Sequence, residues 1–88
     1  MKIKDGFLLR KFGDDYIVVA VGEEADAFNR LITLNGVGAF IYQQLSEDIT
    51  FEEICKRVLD KYDIDIDTAQ ADVKAFLADV RKAGLLNE

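Results

Sequence analysis

The spacing of apolar residues changes once along this chain, at Asn35, and that change constrains the fold more than any other feature of the sequence. Before it come short runs rich in aromatic and β-branched residues, FLLRKF at 7–12 and YIVVAV at 16–21. Such runs suit strands, and Gly13-Asp14-Asp15 between them reads as a three-residue hairpin turn. GEEADA at 22–27 is small and polar and reads as a loop, after which FNRLITL at 28–34 supplies a third strand. In that strand Phe28, Arg30, Ile32 and Leu34 share one face, and Asn29, Leu31 and Thr33 share the other.

After Asn35 the apolar residues recur at helical spacing. Asn35 is a good N-cap for a helix at 36–46, carried by Val37, Phe40, Ile41 and Leu45. Gly36 and Gly38 weaken its start, which fits a first turn packed tightly against the sheet. Thr50 and Glu53 form a capping box for the second helix, with Ile49 and Ile54 as its hydrophobic staple. Phe51, Ile54, Cys55, Val58, Leu59 and Tyr62 then fall on one face. The acidic run DIDID at 63–67 leads to a third helix, where Asp67 with Gln70 repeats the capping pattern. Ala69, Val73, Phe76, Leu77 and Val80 form its buried stripe, and Gly84 marks its end, so that Leu85 and Leu86 can fold back onto the core. The expected fold is therefore α+β and winged-helix-like: a three-stranded antiparallel sheet followed by three helices, in a single domain over 1–88.

The composition narrows the chemistry. Eighty-eight residues bury a thin core, on the order of 60–65 % of the unfolded surface. There is no histidine, no proline and a single cysteine, so the commonest general base and metal ligand are missing and no intrachain disulfide forms. Cys55 lies mid-stripe in the second helix, as a small buried hydrophobe does. Asp63, Asp65 and Asp67 alternate like part of a calcium loop, but the glycine and glutamate positions of such a loop hold Thr68 and Lys74. Gly36-Val37-Gly38 opens a helix after a strand, yet Ile41 replaces the third glycine of a dinucleotide fingerprint. No cofactor, metal site or catalytic constellation is expected. A net charge of −6 repels a phosphate backbone, which disfavours nucleic acid. The opening MKIKDGF lacks a signal-peptide core, no apolar run is long enough to span a membrane, and the chain is expected in the cytoplasm.

What remains is a sheet edge. The first strand is blunted by Arg10 and Lys11, while Leu31-Ile32-Thr33-Leu34 carries no charge. Such an edge accepts an extended peptide, is covered by a helix, or pairs with a second copy in a homodimer, and the residues leave all three open. On the third helix, Gln70, Lys74, Leu77 and Arg81 run along one flank and Asp72 and Asp79 along the other. The solvent face between them is unusually small, with Ala71, Ala75 and Ala78.

LITLNGVGAFIYQQL, TFEEICKRVLDKYDID and AQADVKAFLADVRKAGLL together resemble the PqqD family of pyrroloquinoline quinone biosynthesis. The marks are Leu34-Asn35 at the first helix, T-x-E-E at Thr50 to Glu53, Tyr62-Asp63, and D-V-x-x-F-L at Asp72 to Leu77. The resemblance implies a non-catalytic peptide chaperone, the recognition element of pathways that modify ribosomally made peptides. It implies that the leader of a precursor peptide adds to the third strand and lies against the third helix, and that the complex engages a modifying enzyme, often a radical S-adenosylmethionine protein. Carried to this chain, it places the peptide on Arg30, Leu31, Ile32, Thr33 and Leu34 and against Lys74, Leu77 and Arg81. The alternatives from other classes are a winged-helix DNA-binding regulator and a self-associating structural domain.

Overall fold

A computed structural model describes residues 1–22 and 32–88. Its elements in chain order are β1 (Lys2–Ile3), β2 (Phe7–Phe12), β3 (Asp15–Ala20), β4 (Ile32–Leu34), α1 (Gly36–Gln44), α2 (Phe51–Lys61), α3 (Ile66–Lys82) and β5 (Leu86–Asn87). The expected loop at 22–27 and the first residues of the expected third strand fall largely at 23–31, outside the described residues.

The strands β2, β3 and β4 form one antiparallel sheet in that order, with Phe7 opposite Ala20, Phe12 opposite Asp15, and Ile17 opposite Thr33. The hairpin turn is thus two residues, Gly13-Asp14, and not three. Gly13 takes φ +65 while Asp14 stays at negative φ, the pattern of a type II′ turn, which matches the twist of the flanking strands. Asp15 is freed to pair with Phe12.

Pairing fixes the two faces of the sheet. Phe7, Leu9, Tyr16, Val18, Ala20, Ile32 and Leu34 share the face turned to the helices, and Val18 at its centre is 1 % exposed. The helices cover that face with Ile41 and Leu45 of the α1 segment, Ile54 and Val58 of α2, and Val73 and Val80 of α3, all buried. Leu85 and Leu86 do fold back into this core.

The caps follow local chemistry. The Asn35 side chain accepts from the Gly38 N–H at 2.8 Å, and the Thr50 hydroxyl accepts from Glu53 N–H at 3.2 Å. The Glu53 carboxylate turns to Arg57 one turn on. At α3 the cap is Asp65, two residues before the expected Asp67, and its carboxylate accepts from Thr68 N–H at 2.7 Å. Both aspartates begin a plausible capping spacing; Asp65 takes the role because Ile66 already has helical backbone, which leaves Asp67 in the first turn, where its charge favours the helix dipole. Helix α1 ends at Gln44, slightly short of the expected end, as Leu45 closes it.

A second, two-stranded sheet was not evident from the sequence. Lys2 and Ile3 pair antiparallel with Asn87 and Leu86, and the Ile3 and Lys4 N–H groups donate to the Leu45 and Leu85 carbonyls at 2.9 and 2.8 Å. Strands of two residues carry no periodicity by which to be recognised. Among the described residues no helix is long and apolar enough to cross a membrane.

Candidate functional site

Among the described residues, strand β4 is paired on one side only. Val18 stands opposite Ile32, Ile17 opposite Thr33 and Tyr16 opposite Leu34, and no described strand lies on the other side. N–H and C=O groups alternate in direction along an antiparallel strand, so part of this short row points away from β3. The opposite edge of the sheet, β2, displays Arg10 and Lys11, both exposed, as protected edges do. The described residues of β4 carry no charge.

Beside the open edge runs a groove walled by α3. One hollow of about 300 Å³ lies between Thr33, Leu34, Asn35, Val37, Gly38 and Ile41 on one side and Asp72, Ala75, Phe76 and Asp79 on the other. A second, also about 300 Å³, continues it along Ile32, Thr33 and Leu34 against Phe76, Asp79, Val80, Lys82 and Ala83. The Ile32 end therefore meets the C-terminal end of α3 and the Asn35 end meets its middle, so strand and helix run in opposite senses. Each hollow is at the lower end of the usual size range for ligand sites, and the two together form a channel. Its floor is apolar; its helix wall is acidic.

The expected site residues divide on this geometry. Arg30 and Leu31 lie outside the described residues. Ile32 and Leu34 are half-buried with their side chains on the core face, and Thr33 is exposed on the other. The helix residues do not come to the strand. Leu77 is 4 % exposed, packed in the core. Lys74 and Arg81 lie on the far flank, around a separate hollow with Met1, Phe51 and Glu88. Arg81 is tied there, donating from Nε and Nη2 to the Glu88 carboxylate at 2.9 and 2.7 Å. The flank beside β4 is the one with Asp72 and Asp79. The buried stripe of α3 is equally compatible with either arrangement, so periodicity does not choose between the flanks. Ala75, Phe76, Lys82 and Ala83 join the site without having been expected there. The small exposed residue at Ala75 was the one available signal, since an alanine leaves room for something else to approach.

The other polar features are self-contained. Another hollow, about 730 Å³, opens between Glu47 and Arg57, away from β4. Arg57 already donates to Glu47 at 2.8 Å, Glu53 at 3.4 Å and Gln44 at 2.9 Å, so its charge is spent within the chain. Cys55 is buried, and desolvation, with a smaller push from Glu52, holds its thiol above the ordinary value, the reverse of an activated nucleophile. No three or more His, Cys, Asp or Glu side chains among the described residues are grouped to hold a metal ion.

The fold and the site define a small α+β domain, three strands before three helices, with an open sheet edge beside a helix-walled groove. The chain belongs to the PqqD family: the sequence model of Coenzyme PQQ synthesis protein D (PqqD) matches residues 16–86. Membership places it with proteins of recognition and outside the enzymes. Two solved structures share its fold. TbiB1, solved in complex with the TbiA(beta) leader peptide, is similar with TM-score 0.76 and 25 % identity, over 99 % of this chain and 95 % of that one. A lasso peptide synthetase B1, solved in complex with the leader peptide, gives TM-score 0.73 over 99 % of this chain and 96 % of that one; at 14 % identity the likeness is one of fold. No curated protein matches the chain.

Proposed function

We propose that the protein captures the leader segment of a ribosomally made precursor peptide as an added strand on β4, and presents it to a modifying enzyme of the radical S-adenosylmethionine type. The observation that carries this is the open row of β4 beside its groove. Membership of the PqqD family and the fold shared with a leader-bound protein over nearly its whole length support it.

The physics fits a handover. Strand addition supplies main-chain hydrogen bonds that any sequence can make, each worth about 0.5–1.5 kcal/mol net. β4 offers only a few of them, so specificity falls to side chains in the groove. The binding face consists of Ile32 to Leu34 with Asp72, Ala75, Phe76 and Asp79; Arg30 and Leu31 extend it along the sequence. A site built on a few bonds and a modest groove releases its peptide readily, as a carrier must.

The test is a titration of the isotopically labelled protein with each candidate precursor leader from the neighbouring genes, read by amide resonances. Ile32 to Leu34 and the 72–83 stretch of α3 should shift together. If every such leader leaves those amides in place, or if sedimentation shows that β4 is already paired with a second copy, strand capture is wrong.

A further inference from the structure

The wall of the groove is chemically one-sided. Asp72 and Asp79 lie seven residues apart on α3, so they are two helical turns, about 10 Å, from each other on nearly the same line. Both are exposed, both line the hollow beside Leu34, and neither carboxylate is engaged in a hydrogen bond or ion pair among the described residues. Between them stand Ala75 and Phe76, one too short to fill the space and the other an apolar floor. On the facing side Gly38 presents no Cβ, and Val37 and Ile41 are apolar. Among the described residues, the one cation lining the channel is Lys82, at its Ile32 end.

Resting on the strand-capture reading above, the geometry points to a leader whose added strand carries a lysine or arginine in the Asn35 half of the groove. Its aliphatic stem lies over Ala75 and Phe76 and its charged end lies between Asp72 and Asp79. Long basic side chains pack their stems on apolar surface while the charge stays at a polar rim, and the groove supplies both parts in that order. Two carboxylates flanking a space without a cation of their own repel an acidic segment from it. The net charge of −6 draws a basic segment toward the protein before contact is made. Lys82 sets a polarity: the peptide's basic position belongs away from the Ile32 end.

The test is a selection from a library of random twelve-residue peptides displayed against the immobilised full chain, with amide shifts of the labelled protein locating each enriched peptide. Binders that shift Ile32 to Leu34 should share a Lys or Arg at one fixed position. Their affinities should fall about 2–5-fold with Asp72→Asn or Asp79→Asn at low salt, and the loss should shrink as salt is raised. Selection on Asp72→Lys/Asp79→Lys should replace the basic position by Asp or Glu. Thermal melts of the variants confirm folding, since both side chains are solvent-facing. Binders at β4 with no basic position, or with one indifferent to both aspartates, overturn this specificity and leave strand capture standing. A selection that yields no peptide shifting β4 overturns both.

Discussion

Thr33 stands opposite Ile17 in the ladder that joins β4 to the sheet, and no described strand stands beyond Thr33. That pairing gives β4 a bonded side and an open side, and it sets the first expectation. Ile32 and Leu34 share one hydrogen-bonding direction and Thr33 has the other. Amides on the open side should exchange with solvent much faster than those bonded to β3, and only the fast set should become protected in a leader complex. Hydrogen exchange measured residue by residue decides this. Equal protection of all three amides in the free protein would show that the edge is already occupied.

The two flanks of α3 should respond differently to substitution. Lys74→Ala and Arg81→Ala lie around the hollow near Glu88 and should leave leader affinity within about twofold, whereas Ala75→Trp fills the groove and should abolish binding. Calorimetric titration of the same leader against each variant separates the flanks. A larger loss from Arg81→Ala than from Ala75→Trp would move the site to the other side of the helix.

The two glycines of α1 should differ. A Cβ on Gly38 would lie 3.3 Å from the capping Asn35 Oδ1 and 3.5 Å from Leu34 Cβ, whereas one on Gly36 would meet open space. The close packing expected for both therefore holds at Gly38 alone. Gly36→Ala should stabilise the protein by about 0.5 kcal/mol, or roughly 2–4 °C in Tm, by restricting the unfolded chain and favouring helix. Gly38→Val should destabilise it, because the branched side chain meets both the cap and Leu34. Urea midpoints give both signs.

Loss of the Thr50 cap should cost about 1 kcal/mol on Thr50→Ala, while Thr50→Asp should be close to neutral. Truncating Leu45, which is fully buried, should cost about 2–5 kcal/mol. That is a large share of the stability of a domain this size, about 4–13 kcal/mol by the usual per-residue range. Thermal and denaturant unfolding of the three variants rank these effects.

Acid should weaken the fold in a way that traces to named carboxylates. The Thr68 backbone N–H holds the Asp65 carboxyl below its ordinary value, and the Arg81 guanidinium does the same for Glu88. A carboxyl lowered in the folded state contributes stability that is present above its unfolded value, near pH 4. That contribution is lost as pH falls through the folded value. The urea midpoint should be steady from pH 7 to about 5 and drop below about 4. Asparagine caps as well as aspartate, so Asp65→Asn should match the parent near neutrality and lose less on acidification. Parallel acid profiles for the two proteins would remove Asp65 from the account.

Local chemistry alone determined most of the architecture. The change of apolar spacing at Asn35 separates sheet from helices, and Asn35 and Thr50 cap because their side chains reach a backbone N–H three residues on. The bare run Ile32 to Leu34 marked the open edge, since charge protection is written in the strand itself. Tertiary structure decided everything that depends on how finished elements meet. The β1–β5 pair joins residues from the two ends of the sequence, and strands of two residues leave no period to detect. Helix α3 buries one stripe and carries a basic flank and an acidic one, which the stripe constrains equally. Packing of α3 against the other helices and β5 set Asp72 and Asp79 toward the groove and Arg81 toward Glu88. A helix's sequence says which line of residues is buried, but the direction in which it crosses its neighbour decides which flank borders the site.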